Sequence, residues 1–157
     1  MNHVLVIFQA TETRTENLAL AAGLGAVESG ASIRLRHLDP SPASALGHKG
    51  YGTLKAADLE WADGVVIGVE AENPIKEFEE LTGLVHHLAA NNALAGKKAW
   101  AFGPEGRRSE ECASVAYLNT VIDAADMILV EDAVPAREFF SDAAEYVTSA
   151  GQILANL

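Results

Sequence analysis

Basic residues are scarce in this 157-residue chain: 11 Lys and Arg stand against 22 Asp and Glu, a net charge of −11. Nucleic-acid binding is driven by clustered Lys and Arg that replace counterions, so no nucleic-acid partner is expected. Cysteine is limited to Cys112. No internal disulfide can form, and with nothing nearby to lower its pKa the thiol reads as a small buried side chain. No apolar run approaches the roughly 18 residues of a membrane span, and no basic-then-apolar leader opens the chain. A cytoplasmic protein without a membrane partner is expected. Histidines at metal-pair spacing are also missing. His86 and His87 are adjacent, about 100° apart on a helix, so one is expected to pack and the other to face water, and no metal site is expected.

Short β-type runs alternate with helical periodicity. "HVLVIF" (3–8), "SIRLRHL" (32–38), "DGVVIGV" (63–69), "KKAWAF" (97–102) and "MILVED" (127–132) read as strands. Helices are expected over Thr15 to Ser29, Leu54 to Trp61, from Pro74 to near "NNALAG", around Val115 to Ala125 with its start supported by Ser109, and after Pro135 to the C-terminus. Asp39 to Thr53, rich in proline and glycine, reads as a long loop. No repeat or linker divides the chain, so residues 1–157 are taken as one domain.

Alternation of this kind predicts an α/β fold: a three-layer, doubly wound, five-stranded parallel sheet. The second strand alternates Ile33, Leu35 and His37 with Arg34 and Arg36, as an edge strand with one wet face would. That places the strands in the order 2-1-3-4-5 and predicts a ligand site at the carboxyl ends of the first, third and fourth, where the winding reverses. The loops there follow Phe8, Val69 and Phe102.

The first of these loops, "QATETRT", brings Thr11, Thr13 and Thr15 and the cation of Arg14 to a helix N-terminus, a place where backbone N–H groups hold anions. Read locally, the same residues are also an ordinary helix start, with Thr13 or Thr15 as cap and Glu16 in the first turn. Glu12 would oppose an anion and would have to face solvent. Trp61 and Trp100 read as core residues, which leaves Tyr51 as the aromatic best placed to reach a ligand.

"VLVIFQATETRTENLALAAGLGA", "ADLEWADGVVIGVE" and "ALAGKKAWAFGPEG" resemble the flavodoxin-like superfamily, particularly NAD(P)H:quinone oxidoreductases of the Trp-repressor-binding-protein type and related FMN reductases. The resemblance implies an FMN-binding oxidoreductase or electron carrier, with NAD(P)H as donor, quinone or flavin as acceptor, and a homodimer. It places the FMN phosphate on Gln9, Ala10, Thr11, Glu12, Thr13, Arg14 and Thr15. The ring would lie between Glu70, Ala71, Glu72 and Asn73 on one side and Gly103, Pro104, Glu105 and Gly106 on the other. Ala10 stands where that family has serine and Thr13 where it has glycine, and neither later loop carries an aromatic. The alternative is a flavodoxin-like domain that has lost FMN and serves as a binding or protein-interaction module. A phosphoacceptor receiver of the same topology would need acids where Gln9, Ala10 and Val69 stand.

Overall fold

A computed structural model of the chain describes residues 2–38 and 51–157. Its central sheet has six parallel strands: β1 (His3–Gln9), β2 (Ser32–His37), β3 (Gly52–Thr53), β4 (Gly64–Val69), β5 (Lys98–Phe102) and β6 (Ile128–Leu129), in the order β3-β2-β1-β4-β5-β6. The sheet therefore has six strands, not the expected five, and β2 is not the edge. The added strand pairs Gly52 and Thr53 with Arg36 and His37, inside the stretch read as a loop. Two residues of ladder leave no period for a sequence reading to detect. The rest of that loop, 39–50, lies outside the described residues.

Strand residues alternate between two cores because successive side chains point to opposite faces. Val4, Val6, Phe8, Val66, Trp100 and Phe102 pack under α1 (Thr13–Glu28) and α5 (Ala143–Asn156). Leu5, Ile7, Val65, Ile67, Ala99 and Ala101 pack under α2 (Ala56–Trp61), α3 (Phe78–Ala89) and α4 (Ala113–Ala124). Both faces of the sheet are covered, as parallel strands of such apolar sequence require. The α1 and α5 helices lie unusually close, with Gly25 of α1 against the Thr148 carbonyl and Gly151 of α5 against the Ala22 carbonyl.

Several boundaries differ from the sequence expectation. The α3 helix begins at Phe78, four residues after Pro74; its approach is a turn with Phe78 N–H donating to the Ile75 carbonyl at 3.1 Å. The α4 helix begins after Cys112 rather than at Ser109, because the Ser109 hydroxyl is drawn to Glu131 at 2.6 Å. At α5, Asp142 caps by accepting the Glu145 N–H at 2.8 Å, and the Glu145 carboxylate reaches back to Ser141 N–H at 3.1 Å. His86 and His87 are both exposed, contrary to the expectation that one would pack, because Val85 and Leu88 take the inward positions of α3.

The wet face of β2 turns out to be paired. Asp58 on α2 is buried and accepts from Arg34 Nη1 at 3.1 Å, Arg36 Nε at 3.0 Å and Lys55 N–H at 3.0 Å. Burial pushes its carboxyl up, but the Arg36 hydrogen bond, the Lys55 N–H, the Arg36 charge and the Arg34 hydrogen bond outweigh this and hold the pKa below its ordinary value. A depressed carboxylate contributes stability above its unfolded pKa of about 3.9 and loses it as pH falls through the folded value. Asp58→Asn should therefore destabilise the fold by about 2 kcal/mol at neutral pH, a figure already trimmed for partly exposed arginines. Urea denaturation should show the difference from wild type shrinking below about pH 4.

Candidate functional site

The winding reverses at β1, which has β2 on one side and β4 on the other. The chain leaving β1 and the chain leaving β4 therefore diverge over opposite faces, opening a cleft of about 370 Å³ at the carboxyl ends of the strands. Thr11, Glu12, Arg14 and Thr15 line it from the first loop, Glu70 and Glu72 from the second, and Pro104, Glu105 and Arg107 from the third.

Of the residues expected to form the site, eight meet there. The other seven do different work. Gln9 is the last residue of β1, and its Oε1 accepts the N–H groups of Glu70 at 3.0 Å and Ala71 at 3.1 Å, strapping the second loop to the first strand. Ala10 is buried in the core, its carbonyl accepting from His37 Nε2 at 3.0 Å. Thr13 is the exposed first residue of α1, and Asn73 is exposed outside the cleft. Ala71 packs on the core formed by α2, α3 and α4. Gly103 is buried against Cys112 Sγ, and Gly106 takes φ +81° against the Tyr146 ring, so both shape the third loop from behind. Arg107 was not expected. A cation directly after a Gly-rich turn, in a chain so short of cations, was the available signal.

The first loop is not capped by Thr13 or Thr15. Glu12 is the N-cap, makes no side-chain capping bond, and lines the cleft instead of facing away from it. Glu70, from the second loop, instead takes the N–H groups just ahead of the helix. Glu70 Oε2 accepts the Thr11 N–H at 3.1 Å and the Thr11 hydroxyl at 2.6 Å, and Glu70 Oε1 accepts the Glu12 N–H at 3.2 Å. A carboxylate is thus seated where the start of α1 offers donors and the positive end of its dipole.

Both guanidiniums of the cleft face its own acids. Arg107 Nη1 donates to Glu72 at 2.6 Å, and Arg14 lies 3.8 Å from Glu105. The hydrogen bond Arg107 donates to Glu72, then the Glu72 charge, raises the Arg107 pKa above its already high ordinary value. Four carboxylates, Glu12, Glu70, Glu72 and Glu105, line the cleft beside these two cations. Tyr51, the expected ligand-facing aromatic, is turned elsewhere: its hydroxyl donates to Glu16 at 2.7 Å and its ring meets Phe8 edge-on at 4.9 Å. Burial, then the Glu16 hydrogen bond and charge, pushes its pKa to about 12. Trp100 is buried, and Trp61 stacks on His3 at 4.4 Å, with the Arg34 guanidinium carbon 4.3 Å from the Trp61 ring centroid. Cys112 is buried, with Sγ 3.5 Å from the Glu72 carbonyl.

The third loop is anchored from below. Arg108 donates through Nη2 to the Glu131 carbonyl at 3.0 Å, and the buried Glu131 carboxylate accepts from Ser109 Oγ at 2.6 Å and Asn119 Nδ2 at 3.2 Å. These contacts tie the chain after β5 to the chain after β6 and so set the height of Glu105 and Arg107 at the rim.

Solved structures share this architecture over nearly the whole chain. A flavodoxin, WrbA-like protein from Agrobacterium tumefaciens superposes with a TM-score of 0.70 at 18% identity, covering 99% of this chain and 96% of that one. The fold is flavodoxin-like. Flavodoxin 2 from Bacillus cereus gives a TM-score of 0.70 at 16% identity, with 98% of each chain covered. The Streptococcus pneumonia TIGR4 flavodoxin gives 0.68 at 14%, with 99% of each covered. No family profile matches the sequence, and no curated protein matches it significantly. At these identities the likeness is one of fold alone. No helix among the described residues is long and apolar enough to cross a membrane.

Proposed function

We propose that this chain is a flavodoxin-like binding or protein-interaction module that carries no resident FMN. The observation that carries this reading is the charge arrangement of the cleft: both arginines face the cleft's own acids, while four carboxylates line the walls. FMN brings a phosphate of nearly two negative charges. Like charges there repel the phosphate, although solvent screens these exposed carboxylates, and among the described residues both cations of the cleft already face acids. The ring fares no better, since among the described residues no aromatic side chain lines the cleft to stack on it. The residues present do not fit the cofactor.

A second reading is an FMN electron carrier or oxidoreductase, passing electrons from NAD(P)H to quinone or flavin. What favours it is the likeness of fold to flavodoxins and the position of the cleft at the carboxyl ends of β1, β4 and β5. In it FMN, when bound, would supply the redox chemistry and the protein the binding and electrostatics.

An absorption spectrum of the purified chain, with a titration of FMN fluorescence, separates the two. The module reading expects a colourless protein and no saturable quenching at micromolar concentrations. A yellow protein, or saturation at micromolar or tighter affinity, hands the conclusion to the carrier reading and makes NADH, NADPH and quinones the next ligands to test.

A further inference from the structure

We infer that the Glu70 carboxylate is the resident occupant of the anion cradle at the start of α1, competing there with the phosphate that a flavodoxin-like cofactor would bring. Both of its oxygens are engaged, Oε2 by the Thr11 N–H and hydroxyl and Oε1 by the Glu12 N–H. These donors belong to the loop after β1, whereas Glu70 directly follows the last residue of β4. The placement of the carboxylate is built in from both ends. The Gln9 side chain, at the end of β1, holds the Glu70 and Ala71 N–H groups, and the Gln9 carbonyl also accepts the Glu70 N–H at 3.0 Å. The two loops are therefore locked reciprocally: Gln9 fixes the backbone of Glu70, and the Glu70 side chain fixes the backbone of Thr11 and Glu12.

A tethered group competes as though it were present at an effective concentration on the order of millimolar or above. A phosphate that took the same three donors would lie beside the displaced carboxylate, with Glu12, Glu72 and Glu105 around it. The donor chemistry of the cradle is thus suited to an anion, and the chain supplies that anion itself. Resting on the reading of the cleft as flavin-free, this assigns the exclusion to one side chain that can be removed.

The test uses the full chain and its Glu70→Ala and Glu70→Gln variants, titrated with inorganic phosphate and separately with FMN. Binding is followed by calorimetry and by the amide NMR signals of Thr11 and Glu12. Glu70→Ala is expected to bind phosphate at least tenfold more tightly than wild type, with both amide signals moving as phosphate is added. Glu70→Gln keeps the size, loses the charge, and should gain in the same direction by less; it carries the test if circular dichroism shows Glu70→Ala unfolded. Folded variants whose phosphate affinity equals that of wild type, with the two amides unmoved, overturn the role of Glu70 and leave the flavin-free reading standing. Wild-type chain that binds FMN at micromolar affinity defeats the flavin-free reading. In that case a further tenfold gain in Glu70→Ala still supports competition by Glu70, and no gain ends both.

Discussion

Gly151→Ala should lower the stability of the fold by roughly 3 kcal/mol or more, although in an ordinary helix the same change adds about 1 kcal/mol. A methyl group on Gly151 would run into the Ala22 carbonyl oxygen, with the Ala22 carbonyl carbon at 3.0 Å and its Cα at 3.2 Å. The relation is reciprocal, since a methyl on Gly25 would strike the Thr148 carbonyl, with the Gln152 nitrogen at 3.2 Å. Backbone atoms cannot rotate away as a side chain can, so the helices must part and the interface they share with Val4, Val6 and Trp100 must loosen. For a domain of this length the loss corresponds to a fall in Tm of about 6–12 °C. Gly83→Ala is the control. Nothing stands within 4 Å of a methyl there, so on the exposed side of α3 it should be neutral or stabilising by up to about 1 kcal/mol. Equal effects of the two substitutions in urea denaturation would refute the close-contact account.

Glu131→Ala should cost a further large amount, about 3 kcal/mol, by a different route. The carboxylate gathers Ser109 Oγ, Asn119 Nδ2 and, at 3.9 Å, the Arg108 guanidinium, whose side chain is only 15% exposed. Removing it takes the carboxylate acceptor from Ser109 Oγ and Asn119 Nδ2 and the nearby counter-charge from Arg108, which keeps its bond to the Glu131 carbonyl, in a place water scarcely reaches. Glu131→Gln keeps an acceptor but not the charge and should recover part of the loss. The damage is expected to be local as well as global. Amide hydrogen exchange across residues 103–112 should quicken more than in α1, because this network ties the third loop to the chain after β6. Uniform quickening across the molecule would mean that Glu131 serves the fold generally and not that loop.

The layered α/β architecture was legible because it rests on signals that repeat. Val4 to Phe8 and Val65 to Val69 are apolar runs with β-branching, and Phe78, Leu81, Val85 and Leu88 hold one helical face. Features fixed by few residues or by remote partners were not legible. The two-residue pairing of β3 has no period, and Ser109 looked like a helix cap until Glu131, 22 residues away, claimed its hydroxyl. The presence of a cleft after β1, β4 and β5 was legible from topology, since the reversal at β1 decides where loops diverge. Its chemistry was not. Thr11 and Glu12 read as a helix start with donors to spare, and the carboxylate that takes those donors lies 59 and 58 residues further along. Arg14 looked available as a counter-charge for the same reason, because its acid sits on another loop.

The two outermost strands of the sheet, Gly52–Thr53 and Ile128–Leu129, are each two residues long among the described residues. A foreign β-strand extends a sheet by pairing with a row of free backbone groups, and here each end offers only the shortest of rows. Ile128 and Leu129 are exposed and apolar, a combination that on a longer edge would invite fibril-like stacking. Brevity guards that edge against strand addition, and an insertion lengthening it is expected to promote aggregation.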